Sequence, residues 1–267
     1  MISKVVTSLL TAVSGIVAVA ATIYAPTATA STAPSKLAQP LVVVKTGTDA
    51  AAAVAQYRAL LGPDNGGAPY GDPTGHREIN WDGVPDEQAA PNGYLADFFN
   101  AKEAPRARGA HLESKSGKLM VSAKEGNPTN TPVRFGNINP TYVDQFKTFS
   151  PERLFSPIGT NVVNLTFSVP GTDVPAAVRG FGAVYTDVDR KEGASFRYYD
   201  VKGRLLGRYG VPANPSGLSF LGVVFKDPVV ARVKIVYGTT ALGPNDSSKN
   251  DVAVMDDFFY GEPNPIG

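Results

Sequence analysis

From Asn161 to the C-terminus the chain is a succession of short alternating runs separated by turn residues. This restricts it to an antiparallel β architecture. In Val162 to Val169, Val163, Leu165, Phe167 and Val169 fall on one side, and Asn164, Thr166 and Ser168 on the other, because successive side chains of a strand point to opposite faces. Gly180 to Val188 follows. Ser195 to Val201 and Arg204 to Tyr209 flank Lys202-Gly203, a hairpin signal. Leu218 to Phe225, Ala231 to Tyr237 and Val252 to Tyr260 complete the set. The spacing predicts an all-β sandwich. Its expected core is Val163, Leu165, Phe167, Phe181, Tyr185, Phe220, Val233, Ile235, Val254 and Phe258. Runs such as Leu218 to Phe225 are apolar on both faces, so one sheet should be packed on one side and covered by loops on the other.

The first thirty residues read as a secretory signal. Lys4 supplies the positive region, Val5 to Ala21 is apolar, and Ala28-Thr29-Ala30 gives the cleavage pattern, with Ser31 beginning the mature chain. The rival reading, an uncleaved anchor, has an apolar stretch shorter than the ~20 residues of a span, interrupted by Thr7, Thr11, Ser14 and Gly15. A secreted protein without a membrane span is therefore expected. The division is residues 1–30 signal, 31–75 linker, helix and loop, and 76–267 sandwich. The single short N-terminal helix is Ala50 to Leu61, with Thr48 as N-cap and Gly62-Pro63 as stop. Arg77 to Gly83 reads as the first strand. Gly109 to Ser114 and Lys118 to Ala123 read as two more, joined at Ser116-Gly117. Asn127 to Pro157 is irregular and is expected to lie over a core through Phe135, Tyr142, Phe146, Phe149 and Phe155. There is no Cys, so stability must come from a core, a metal, or both. A net charge of +1 leaves no electrostatic footprint for nucleic acid or an anionic membrane surface.

The sharpest chemical feature is Asp256-Asp257, set in Val252 to Tyr260, a strand apolar on both faces. Regular alternation places the two acids on opposite faces, so at least one enters or borders the core. An unpaired carboxylate there needs a cation, donors or a proton. Asp187 and Asp189 end another strand and point the same way. Joined by Asp256 or Asp257, they would form a hard oxygen site suited to calcium. The plainer reading is a solvated turn at Asp187 and Asp189 and a backbone bulge capped by Asp256. For a ligand, the candidates are Trp81 and Tyr94 as stacking aromatics, and Arg197 and Tyr199 as an outward-facing pair. Core packing of Trp81 beside Ile79 and cross-strand packing of Tyr199 are the alternatives. His76 and His111 are the only histidines, and neither they nor any G-x-S-x-G elbow suggest a catalyst. A paired-carboxylate glycosidase remains open.

Several stretches carry a family likeness: Arg77 to Asp86, Phe135-Gly136-Asn137-Ile138-Asn139-Pro140, Gly180 to Asp189, Leu218 to Val223, and Met255-Asp256-Asp257-Phe258-Phe259-Tyr260-Gly261. Together they resemble a group of exported bacterial β-sandwich proteins without an assigned function. The C-terminal half resembles the lectin-like domains of PEP-CTERM-type surface proteins, where a strand ends in a D-D-hydrophobic-x-x-G signature. The resemblance implies a jelly-roll-like sandwich and names no reaction. The chain ends at Pro265-Ile266-Gly267 without the apolar tail and basic terminus of the sorted surface proteins, so sorting by that route is not expected. The resulting expectation is a carbohydrate- or ligand-binding module, with calcium ordering its loops and an extracellular glycan as partner. The alternatives are an adhesive matrix protein or a glycan-active hydrolase.

Overall fold

The computed structural model describes residues 37–247 and 249–266. The expected signal and its cleavage site lie outside the described residues. In chain order the elements are β1 (Pro40–Thr46), α1 (Ala50–Leu61), β2 (His76–Ile79), β3 (Ala110–Ser114), β4 (Leu119–Val121), α2 (Tyr142–Gln145), β5 (Phe155–Pro157), β6 (Val162–Ser168), β7 (Pro175–Ala177), β8 (Gly180–Val188), β9 (Ser195–Tyr199), β10 (Leu205–Gly210), β11 (Asn214–Phe225), β12 (Arg232–Val236), β13 (Val254–Gly261) and β14 (Asn264–Pro265). A 3-10 turn spans Asp86–Gln88.

These strands form two antiparallel sheets, as the all-β reading requires. The first runs β1-β11-β8-β13-β5-β4, with β2 also pairing β13; the second runs β10-β9-β12-β6-β7-β14, with β3 also pairing β6. Their inner faces meet in one core. Phe181 and Phe258 of the first sheet pack with Leu165, Phe196 and Ile235 of the second, and the Phe181 and Phe196 rings cross edge-on at 5.0 Å. Every residue of the expected core is buried, but Phe220 and Val254 belong to separate apolar clusters on the other side of the first sheet.

That outer side is covered twice. Helix α1 lays Val54, Tyr57 and Leu61 on Val184, Phe220, Val224 and Phe259. Gly182 and Gly222, opposed in register, leave a trough for Tyr57: a Cβ at Gly222 would lie 2.5 Å from the Tyr57 ring. The Tyr57 hydroxyl then reaches the Val223 carbonyl at 3.0 Å. Next to it, the irregular segment buries Phe135, Tyr142, Phe146 and Leu154 against Leu242, Val252 and Val254, as its aromatics predicted. Consequently β8 and β13 are buried along their whole length, whereas β6 and β12 alternate.

Four local expectations change. The helix is capped by Asp49, whose Oδ1 accepts the Ala52 N–H at 3.0 Å, and not by Thr48. Residues 40–46, expected as linker and helix approach, form β1 on the edge of the first sheet, so the compact body begins at Leu37. Val42, Val43 and Val44 favour a strand, and β11 offers an open edge. The first strand ends at Ile79, and Trp81 turns the chain with a φ of 62°. Finally, β3 and β4 do not pair with each other: β3 joins β6 in the second sheet, and β4 joins β5 in the first.

Candidate functional site

The acid pair sits at a break in β13. Met255 pairs Tyr185 and Phe258 pairs Ala183, so Asp256 and Asp257 together oppose one residue of β8. This is a β-bulge, with one extra residue in the strand. It resets the side-chain phase, putting Met255, Phe258 and Tyr260 all on the inner face. It also brings the two carboxylates to the same side. The Ser150 hydroxyl donates to Asp257 Oδ1 at 2.7 Å and lies 3.3 Å from Asp256 Oδ1, and the Phe149 N–H donates to Asp256 Oδ2 at 2.5 Å. The expectation that the acids face apart is corrected by the bulge. Burial and the Asp257 charge hold Asp256 well above the usual carboxylate range, and burial raises Asp257 as well.

Trp81 completes the bulge. Its indole N–H reaches the Asp256 carbonyl at 2.8 Å, an acceptor that the interrupted ladder leaves free. Its ring stacks on Phe155 at 4.2 Å and meets Tyr94, Phe99 and Phe258 edge-on. Trp81 is fully buried and Tyr94 nearly so, which places neither where a sugar can stack. Asp82, the next residue, accepts the N–H groups of Glu152 and Arg153 at 2.5 and 3.0 Å. Asp82, Asp256 and Asp257 thus pin the strap of residues 147–153 over the first sheet.

Asp187 and Asp189 belong to a different group, with Asp246 and Asp251. Asp187 has a φ of 62° and accepts the Ser216 N–H at 2.6 Å through Oδ1, while its buried Oδ2 has no partner among the described residues. Burial lifts Asp187 to about 7, helped by the charges of Asp189, Asp246 and Asp251. Asp251 is lifted to about 6, again mainly by burial. Asp189 is raised for the same reason. The acids expected to share a calcium, Asp187 and Asp189 with Asp256 or Asp257, are therefore divided between two groups. Among the described residues no group of three or more His, Asp or Glu side chains is arranged to hold a metal ion. Asp246 and Asp251 lie in a loop before β13, and nothing in their local spacing marks them as neighbours of Asp187.

Near α1, Glu78 joins Arg58 through two contacts of 2.6 Å and His76 at 2.9 Å. Burial works against its charge, yet these two partners hold Glu78 down at about 2. His76 is raised, its hydrogen bonds to Glu78 and Gly62 outweighing its burial. Deeper still, Arg77 and Glu262 form a buried pair at 2.6 Å, and Arg153 reaches Asp86 at 2.6 Å.

The outer face of the second sheet is different. Across it, in register, run two rows. Arg208 of β10 opposes Arg197 of β9, which opposes Lys234 of β12, which opposes Asn164 of β6, followed by Glu113 of β3. Beside this row Tyr199 opposes Arg232, then Thr166 and His111. The Arg232 guanidinium lies 3.8 Å over the Tyr199 ring and donates to Asn164 Oδ1 at 3.2 Å. Arg197 and Tyr199 do share the outward face, as their alternation predicts, but one face of Tyr199 is already taken by Arg232. Among the described residues Arg197, Arg208, Arg232 and Lys234 enter no ion pair. Like charges directly opposed across strands destabilise a sheet, by roughly 0.2–1 kcal/mol each. The second row ends in an open surface cavity of ≈ 470 Å³ lined by His111, Thr166, Ser168, Asp200 and Arg232 among others. Arg208, Arg232 and Lys234 escaped the sequence reading because alternation shows which residues face out, and only strand order shows which stand together.

Fold and surface together define a two-sheet β-sandwich with one sheet covered and the other bearing an open polar face. No protein-family model matches the chain, and no curated protein or solved structure matches it. Among the described residues no helix is long and apolar enough to cross a membrane.

Proposed function

We propose that the protein is an exported, lectin-like binding module that takes an extracellular carbohydrate on the outer face of its second sheet. The observation that carries this reading is the row arrangement itself: Arg197, Tyr199, Arg232 and Lys234 stand side by side, half-buried and continuous with a cavity. Half-buried polar side chains in register offer several oriented donors at once, which is what a flexible polyhydroxyl ligand needs. The signal-like first thirty residues supply the setting, outside the cytoplasm. A hydrolase working through Asp256 and Asp257 has less support, since the pair is 0% and 2% exposed beneath the strap. The binding reading does not depend on calcium.

A glycan array, run with and without calcium on the wild-type chain and on Arg232→Ala, tests it. Binding to a subset of glycans is expected, lost in the variant while its melting temperature is retained. A blank array for the wild type would sink the proposal, and full binding by Arg232→Ala would move the site off this face.

A further inference from the structure

Among the described residues the two buried arginines each have an acid: Arg77 with Glu262 and Arg153 with Asp86. The open face departs from that habit. Arg208, Arg197 and Lys234 occupy directly opposed positions on three adjacent strands, and Arg232 stands one step along β12 from Lys234. Among the described residues no hydrogen bond or ion pair engages the Arg197 side chain, and its Nε is enclosed without a partner. Glu113 is the one acid in either row, two strands away from Lys234. Such an arrangement sets like charges against one another and neutralises none of them, so the unliganded face is electrostatically frustrated and an anion would relieve it.

Building on the carbohydrate-binding reading, we infer that the ligand is a linear acidic polysaccharide bearing carboxylates. It would cross β10, β9 and β12 along the row Arg208–Arg197–Lys234, with Arg232 beside it. Adjacent strands lie ~4.8 Å apart, so a chain running across them meets a cation at each step. Arginine's planar fork accepts a carboxylate through two parallel hydrogen bonds. Arg232 is already oriented for this by Tyr199 beneath it and Asn164 beside it. Nucleic acid fits less well. Four cations on a chain of net charge +1 fall short of the 6–10 phosphate contacts of a strongly salt-dependent backbone binder, and Arg232 already covers one face of Tyr199, the only aromatic in the two rows.

The test is affinity electrophoresis of the full chain in gels holding polygalacturonate, its fully methyl-esterified form, or poly(U). The esterified polymer keeps the sugar backbone and removes the charge. Polygalacturonate should retard the protein at least about tenfold more strongly than the ester, and the retardation should weaken with salt. The double variant Arg197→Gln/Lys234→Gln should lose most of this difference with an unchanged circular dichroism spectrum. If that variant misfolds, the single Arg208→Gln variant, at an exposed position, should weaken binding on its own. Equal retardation by polygalacturonate and its ester overturns the anionic ligand while leaving carbohydrate binding intact. Array binding to neutral glycans with no response to polygalacturonate has the same meaning. No retardation by either polymer together with a blank array overturns both readings. Poly(U) bound as tightly as polygalacturonate through the same residues overturns the choice of polysaccharide.

Discussion

The two sheets treat charge in opposite ways. In the first, β8 and β13 are buried on both faces, and every acid within them is a connector: Asp256 and Asp257 hold the strap at Phe149 and Ser150, and Asp187 holds Ser216. In the second, one face packs on the core and the other leaves Arg197, Arg208, Arg232 and Lys234 without ionic partners among the described residues. Low dielectric explains the contrast. A buried charge without a partner is too costly to keep, so the covered sheet pairs or protonates its acids. A charge at the water interface costs little, so the open sheet can hold like charges together and remain folded.

The comparison breaks most readily at Arg77. Arg77→Ala would leave Glu262 charged and buried, so a loss of ~3–5 kcal/mol is expected in urea unfolding, with a large recovery when Glu262→Leu is added. A loss below about 1 kcal/mol, a surface-like value, would mean that the covered side is wetter than described. Trp81→Phe keeps the ring and deletes the donor to the Asp256 carbonyl. Leaving that acceptor unsatisfied should cost ~1–3 kcal/mol.

Acidity sharpens the contrast further. Asp187 and Asp251 titrate at about 7 and about 6 in the folded chain, against an ordinary 3.8. The folded state then binds protons that the unfolded chain has released. Their contribution to stability is complete below about 3.8 and is lost as pH rises through about 6 to 7. The raised His76 acts in the same direction, losing its contribution as pH rises through its folded pKa. Glu78 is the reverse case: held at about 2 against 4.5, its contribution is complete above 4.5 and lost as pH falls toward 2. Melting temperature should therefore be highest near about pH 4 and fall as pH rises toward 7. Asp187→Asn should raise it most at pH 8, by less at pH 5, and hardly at all below about pH 3.8. A melting temperature still climbing from pH 6 to pH 8 would contradict the buried, protonated state of these acids.

Smaller effects are expected on the open sheet. Arg197→Gln and Lys234→Gln should each raise stability by about 0.2–1 kcal/mol, because each removes a like charge opposed across strands. A loss instead would show that these cations hold the sheet together. The smallest expected effect is that of EDTA. With the acids held by protein donors and protons, the melting curve should not move. A fall restored by calcium and not by magnesium would instead assign a cation to the Asp187 group.

How much of this could be read beforehand depends on distance along the chain. Strand positions β6, β8, β9 and β10, the Lys202-Gly203 hairpin, and the burial of Phe167, Phe181 and Ile235 followed from alternation and turn chemistry, which are local. Export is likewise an expectation of the sequence alone. The bulge at Asp256-Asp257 could not be read, since it exists only relative to β8, and with it went the phase of Val254 against Phe258 and the side on which the two acids lie. The separation of β3 from β4 into different sheets, the recruitment of residues 40–46 as an edge strand, and the alignment of Arg208, Arg197 and Lys234 are of the same kind. A strand's pattern states which residues face in and which face out. Which strands become neighbours, and in what register, is chosen by burial and hydrogen bonding summed over the whole chain. Charge that is harmless in one strand becomes a site, or a buried connector, only once that choice is made.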